Sequence, residues 1–265
     1  MNHLELARDW QLALAYALSL PSREEFGVIY TDSGLDFWAF NGVIKFVADQ
    51  KFDYDSVWQQ LKKLHSYSWK IEKSSAPWYL DKTLIETGLA KFLVDFPVFV
   101  REIKEESFEA PDTLVEIVKN KSQFDKWEEC IAEAFNFLPD LKEAHATLFW
   151  GAVEERKITC FMAVGDDGEV KATGAMSLFN SAAYISNGTF KDKASGKLME
   201  EAMMQAAIKA KACAAVALCE PDKTDYMKEL GYEQVTSYQY YKTVKGAPTT
   251  AVAEDGSEQI ITLPL

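Results

Sequence analysis

The sequence predicts an α/β (α+β) protein made of two halves, each combining strands and helices. Three observations predict it. Apolar periodicity alternates along the chain between the helical and the strand type, as mixed folds require. The 265 residues are long for a single core, since a typical domain takes roughly 150. Finally, Glu105-Glu106-Ser107-Phe108-Glu109-Ala110-Pro111-Asp112 is polar, carries a proline and breaks both periodicities. The boundary is placed there, giving domains 1–110 and 111–265.

The first half opens with a helix over Leu4 to Leu20, where Ala7, Trp10, Leu14, Ala17 and Leu18 keep helical spacing. Its apolar part is not read as a secretion signal, because Glu5 and Asp9 outweigh Arg8 in the leader. Strands follow. Asn41-Gly42, between Asp36–Phe40 and Val43–Val47, predicts a hairpin, since both residues tolerate the positive φ of a type I′ turn. A helix over Ser56 to Leu64 puts Val57, Leu61 and Leu64 on one side. An irregular Ser-Ser-Ala-Pro stretch, a helix near Lys82 to Thr87 and an apolar strand pair ending near Ile103 complete this half.

Beyond the boundary, helices are expected over Phe124–Phe135 and Asp140–Phe149. A hairpin joins Ile158–Val164 to Val170–Leu178 through Asp166-Asp167-Gly168. A strand from Ala183 to Gly188 leads through a polar loop into an Ala/Met-rich helix, Lys197 to Lys211, whose Met199, Met203 and Met204 read as core. Ala214–Cys219 suits a buried strand, Lys223–Leu230 a short helix and Val235–Thr243 a last strand. Asn187-Gly188 is unusual inside a strand and predicts a bulge or the close approach of another backbone or a ligand. The tail from Lys245 to Leu265 is assigned no element.

Composition removes several classes of function. Lys plus Arg number 28 against 41 Asp plus Glu, a net charge of 28 − 41 = −13 with no basic cluster, so no nucleic-acid partner is expected. The longest apolar run, Ala212 to Cys219, falls far short of the ~18 to 20 residues that span a bilayer. Cys130, Cys160, Cys213 and Cys219 contain no C-x-x-C pair, and His3, His65 and His145 share no metal-ligand spacing. No metal, no disulfide framework, buried reduced thiols, no membrane and a cytoplasmic location are the expectations.

Three segments then point to a family. They are Tyr184-Ile185-Ser186-Asn187-Gly188-Thr189, Lys193-Ala194-Ser195-Gly196-Lys197-Leu198, and Asp225-Tyr226-Met227-Lys228-Glu229-Leu230-Gly231-Tyr232. With the order of elements around them, they resemble the GNAT acetyltransferase superfamily over roughly residues 113 to 243. Ser33-Gly34-Leu35, Phe40-Asn41-Gly42-Val43, Pro77-Trp78 and Thr87-Gly88-Leu89 resemble the leading half of a bacterial subgroup of that family.

The resemblance implies two GNAT-like halves, each a mixed sheet flanked by helices, the C-terminal one with a splayed strand pair for acetyl-CoA as co-substrate. In this family the coenzyme A diphosphate meets Arg/Gln-x-x-Gly-x-Gly/Ala at a helix start, where unpaired N–H groups attract anions. The matching register is Lys193-x-x-Gly196-x-Leu198. Lys193, Ala194, Ser195, Gly196, Lys197 and Leu198 are therefore the expected diphosphate contacts, with Lys191 adding positive charge. Asn187 and Thr189 are the implied backbone contacts to the pantetheine arm and thioester oxygen, and Tyr226 the implied donor to the departing thiolate. Cys219 stands where many relatives carry Asn. Glu133, Glu154 and Glu155 are acidic residues of this half, and none is singled out as a base.

The implied function is an acetyl-CoA-dependent N-acetyltransferase acting on a primary amine, a small molecule or peptide, by direct attack in a ternary complex. The alternative is a catalytically silent GNAT-like module that binds an acyl-CoA or a protein. Trp38, Phe40, Trp78 and Tyr79 are candidates for the acceptor site.

Overall fold

The computed structural model describes residues 2–35, 38–64, 66–91, 95–104 and 115–243. In chain order the first elements are α1 (His3–Arg8), α2 (Trp10–Ala17), β1 (Ser22–Glu25), β2 (Val28–Thr31), β3 (Gly42–Phe46), α3 (Tyr54–Leu61) and β4 (Ser68–Glu72). Next come α4 (Leu80–Glu86), β5 (Ala90–Lys91), β6 (Phe96–Glu102), β7 (Val115–Ile117), α5 (Lys121–Ala134), α6 (Pro139–Glu154), β8 (Ile158–Val164) and β9 (Val170–Phe179). The last are β10 (Ala182–Phe190), α7 (Lys193–Lys209), β11 (Ala214–Leu218), α8 (Thr224–Glu229) and β12 (Glu233–Lys242). No helix among the described residues is long and apolar enough to cross a membrane.

The boundary expected at residue 110 lies outside the described residues. Contacts divide the chain into units that no single cut separates. One unit unites the segment ending at Ser19 with Val98–Val235. The other unites Leu20–Pro97 with residues 236–243. Strand pairing is the cause, because β6 pairs with β11 and the end of β12 pairs with β4.

In the unit containing Val98–Val235, β7, β8, β9, β10, β11 and β6 lie side by side. All neighbours are antiparallel except β10 and β11, which run parallel and are joined through α7, as a parallel pair requires. Its core packs Met199, Met203, Met204 and Ala207 of α7 on Phe161, Ala172, Ala183, Ala215 and Ala217. Gly174 on β9 makes room for this helix, since a Cβ there would come within 2.7 Å of the Met203 sulfur. Of the cysteines, Cys160 is buried as expected, whereas Cys213 is exposed just ahead of β11.

Helix α7 begins at Lys193, not at the expected Lys197. Asp192 is the reason. Its carboxylate accepts from the Ser195 N–H at 2.8 Å and from the Ser195 hydroxyl at 2.9 Å, a side-chain cap that starts the helix one turn early.

In the unit containing Leu20–Pro97, the order is β1, β2, β3, β4 and β12, with β5 also against β12. Here too one neighbouring pair is parallel, β3 with β4, joined through α3. The hairpin expected at Asn41-Gly42 is not formed. Residues Trp38–Phe40 make a 3-10 turn, and the strand antiparallel to β3 is β2. Asn41 serves as a clamp, its side chain accepting from Ser33 and donating to the carbonyls of Leu35 and Ser66. Gly42 has φ +112°, and a Cβ there would lie 1.9 Å from the Ser68 carbonyl oxygen, so its role is close strand approach.

Candidate active site

The site is built where β10 and β11 part. They pair from Ala182↔Ala214 to Ile185↔Ala217. Then β10 runs on to Phe190 while β11 stops at Leu218. Local sequence causes both events. Asn187 adopts φ +52°, and the register against β9 slips between Ser186↔Ala175 and Thr189↔Thr173, the bulge expected at Asn187-Gly188. An extra residue bends the strand that carries it. On the other side Pro221 cannot donate to a ladder and starts a 3-10 turn that leads into α8.

Between the strands lies a cleft of about 820 Å³, open mouth included. Ile185, Phe190, Met199, Met203, Ala217 and Met227 give it apolar walls. Asn187, Thr189, Gly196 and Tyr226 line it, as do Cys219, Glu200 and Glu220. Of the other expected residues, Lys193, Ala194, Ser195, Lys197 and Leu198 are not part of its lining. Glu133, Glu154 and Glu155 are exposed and do not line it either.

Tyr226 is the most telling group. Its hydroxyl is buried and has no hydrogen-bond partner among the described residues. Its ring packs on Phe190 with centroids 4.9 Å apart. Both rings rest on Gly196, where a Cβ would come within 2.5 Å of the hydroxyl and 2.9 Å of the Phe190 ring. Burial, with smaller contributions from Glu200 and Glu229, pushes this phenol up to about 12, so it stays protonated at neutral pH.

Two carboxylates face the same cleft. Burial raises Glu200 above the ordinary range, against the 2.7 Å hydrogen bond it accepts from Tyr232 and the guanidinium of Arg101 at 3.7 Å. Glu200 is thus committed to neighbours. Glu220, only partly buried, is raised by burial and then by Asp222, against the opposing charge of Lys223. Cys219 is pushed up to about 12, mainly by burial, which makes it a thiol and not a thiolate.

Sequence reasoning missed what holds the bulge. The Asn187 amide nitrogen lies 3.3 Å from His145 Nε2, and His145 Nδ1 lies 2.8 Å from Glu128 Oε2. With Nδ1–H donated to Glu128, the free Nε2 accepts from Asn187. All three residues are buried, and Trp127, Phe137 and Phe149 surround the imidazole. Thr173 donates to the Asn187 carbonyl at 3.1 Å and meets the Thr189 hydroxyl at 2.8 Å. The available signal was Glu128, a charged residue among Phe124, Trp127 and Ile131 on the buried face of α5.

The start of α7 was expected to hold a diphosphate, which needs free N–H groups and unpaired positive charge. The Ser195 N–H is taken by Asp192, and the Gly196 N–H by the Asp192 carbonyl at 3.1 Å. Lys193 pairs with Glu229 at 3.2 Å, Lys191 with Glu169 at 3.3 Å and Lys197 with Glu201 at 3.9 Å. At the start of α7 the Ser195 N–H and the three lysines thus already have partners within the protein. The cleft beside them is largely apolar and edged by the unladdered side of β10.

No protein-family model matches the sequence, and no curated protein matches it. Solved structures do resemble it. A GCN5-related N-acetyltransferase from Kribbella flavida superimposes with a TM-score of 0.64 at 15% identity, over 91% of this chain and 96% of its own. A tandem GNAT protein from the clavulanic acid biosynthesis pathway, solved without AcCoA, gives 0.57 at 10% identity over 83% and 79%. Saccharomyces cerevisiae N-myristoyltransferase with bound myristoyl-CoA and inhibitors gives 0.53 at 10% identity over 95% and 75%. At such identities the likeness concerns architecture, and on it the chain has the GNAT acetyltransferase fold with two GNAT-like halves.

Proposed function

We propose that the chain is an acyltransferase that moves an acyl group from a thioester of the acetyl-CoA type to a primary amine, by direct attack in a ternary complex. The observation that carries this reading is the open fork between β10 and β11, with the unpartnered Tyr226 hydroxyl inside it. A buried donor without a partner is costly, and a ligand atom arriving there would remove that cost.

Each residue then has a chemical task. The backbone of β10 from Ser186 to Thr189 lines the slot beside the acyl carbonyl, and Cys219 closes it on the β11 side. Glu220 takes the proton the amine must lose, a task for which a raised carboxyl is better matched than an ordinary one. As the new C–N bond forms and the C–S bond breaks, negative charge collects on sulfur. Tyr226 meets it with a hydrogen bond. Full transfer from a phenol near 12 to a thiolate of ordinary basicity, about 8.5, is uphill, so solvent supplies the proton that completes the thiol. The acceptor is a small molecule or peptide amine, and the acidic protein, with Glu220 in the cleft lining, suits a cationic one.

The test is thiol release from acetyl-CoA across a panel of amines. Release dependent on one class of amine supports the transferase. The second reading, a silent acyl-binding module, draws on the self-capped start of α7. It predicts that no amine raises release above background although a thioester binds.

A further inference from the structure

We propose that this protein recognises its donor by the pantetheine arm and acyl group alone, and that the nucleotide diphosphate of coenzyme A contributes nothing to affinity. The inference rests on the transferase reading and narrows its donor to the class of pantetheine thioesters.

Three independent observations converge on it. The anion position at the start of α7 already holds an anion, the Asp192 carboxylate bound to Ser195 N–H and Oγ. Those bonds hold it below the usual carboxylate range, so it is charged at neutral pH and repels a phosphate. The space over the first turn is filled as well. The Phe190 and Tyr226 rings rest on Gly196, the residue whose missing side chain would otherwise admit a phosphate. Lastly, Lys191, Lys193 and Lys197 each face a glutamate of the same unit.

Asp53 caps α3 with the same geometry, accepting from Ser56 N–H at 3.2 Å and from Ser56 Oγ at 2.8 Å. Thus Asp-x-x-Ser starts the helix that follows the forked strand in both units. One chemical solution to a helix start, used twice, is a structural cap that needs no ligand.

The experiment is calorimetric titration of the full chain with coenzyme A, pantetheine and adenosine 3′,5′-bisphosphate, at low and high salt. Coenzyme A and pantetheine should bind within about threefold of each other, with little salt dependence and no detectable nucleotide binding. In Asp192→Asn, which keeps an oxygen for the Ser195 N–H but loses the charge, coenzyme A should tighten several-fold while pantetheine is unmoved. A thermal melt confirms that the variant folds. Coenzyme A binding more than about thirtyfold tighter than pantetheine, with the nucleotide competing, would overturn the inference and leave the transferase standing. Failure of both thiols to bind would overturn the inference together with the transferase reading.

Discussion

The two units each contain one parallel strand pair that forks, and among the described residues one fork is filled by side chains while the other opens into a cleft. In the unit containing Leu20–Pro97, β3 and β4 pair at Gly42↔Ser68 and Val43↔Trp69 and then separate. Trp69 is fully buried at that point, stacked on Tyr54 and edge-on to Phe52, which meets Phe46 in turn. In the other unit the last paired residues are Ile185 and Ala217, and the space beyond is the cleft. The same backbone device yields a core in one place and a binding slot in the other. Side-chain volume at the crotch decides which: indole fills it, a methyl group leaves it free.

That contrast can be broken from either side. The largest effect is expected from Ala217→Phe, which gives the open fork the filling of the closed one. Thioester binding and thiol release should vanish, at a folding cost of about 1 to 3 kcal/mol for the overpacked strand. A folded Ala217→Phe protein with unchanged turnover would place the donor elsewhere. The reverse change, Trp69→Ala, should cost roughly 3 to 5 kcal/mol of stability in denaturant titration, because the emptied space is lined by rings that cannot collapse into it. It should create no affinity for coenzyme A, since the space it opens is walled by the rings of Phe46, Phe52 and Tyr54.

Smaller effects sharpen the open fork. Tyr226→Phe keeps the ring on Phe190 and Gly196 and removes only the donor, so turnover should fall about 10- to 100-fold with thioester affinity nearly constant. Full activity would assign the leaving sulfur to another group. The pH profile carries the smallest change. Glu220 must be deprotonated to accept a proton, and its carboxyl is raised, so the rate should climb through a pKa above the usual 4.5. With Tyr226 held near 12, no alkaline decline is expected below about pH 10. Glu220→Gln should flatten the acidic limb; an unchanged limb would name a different base.

The parts of this fold that were legible in the sequence are those written in contiguous residues. The β8–β9 hairpin, the Met-rich face of α7 and the bulge at Asn187-Gly188 all follow from short-range periodicity and turn chemistry. The parts that were not legible depend on partners far along the chain. Asn41-Gly42 has the signature of a turn, yet Asn41 is committed to Ser66 and Gly42 to the backbone of Ser68. His145 is buried through a partner 17 residues before it and another 42 after it. The start of α7 is a third kind of case. Asp192-x-x-Ser195 and Lys193-x-x-Gly196 overlap, and the cap, satisfied locally, sets the helix start.

The exchange of strands between the units bears on how this polypeptide is made. The unit containing Leu20–Pro97 lacks its β12 strand until the ribosome has delivered Thr236 to Lys242, when the Tyr241 hydroxyl can reach Asp81, 160 positions earlier. Until then β4 presents an unpaired edge, the sort of surface through which nascent chains associate wrongly. Meanwhile Val98 to Glu102 wait for a β11 not yet translated. Neither sheet can be completed until the last of its strands, β11 in one and β12 in the other, has been made. Separating the gene at codon 110 would strand β6 and β12 each on the wrong side of the cut.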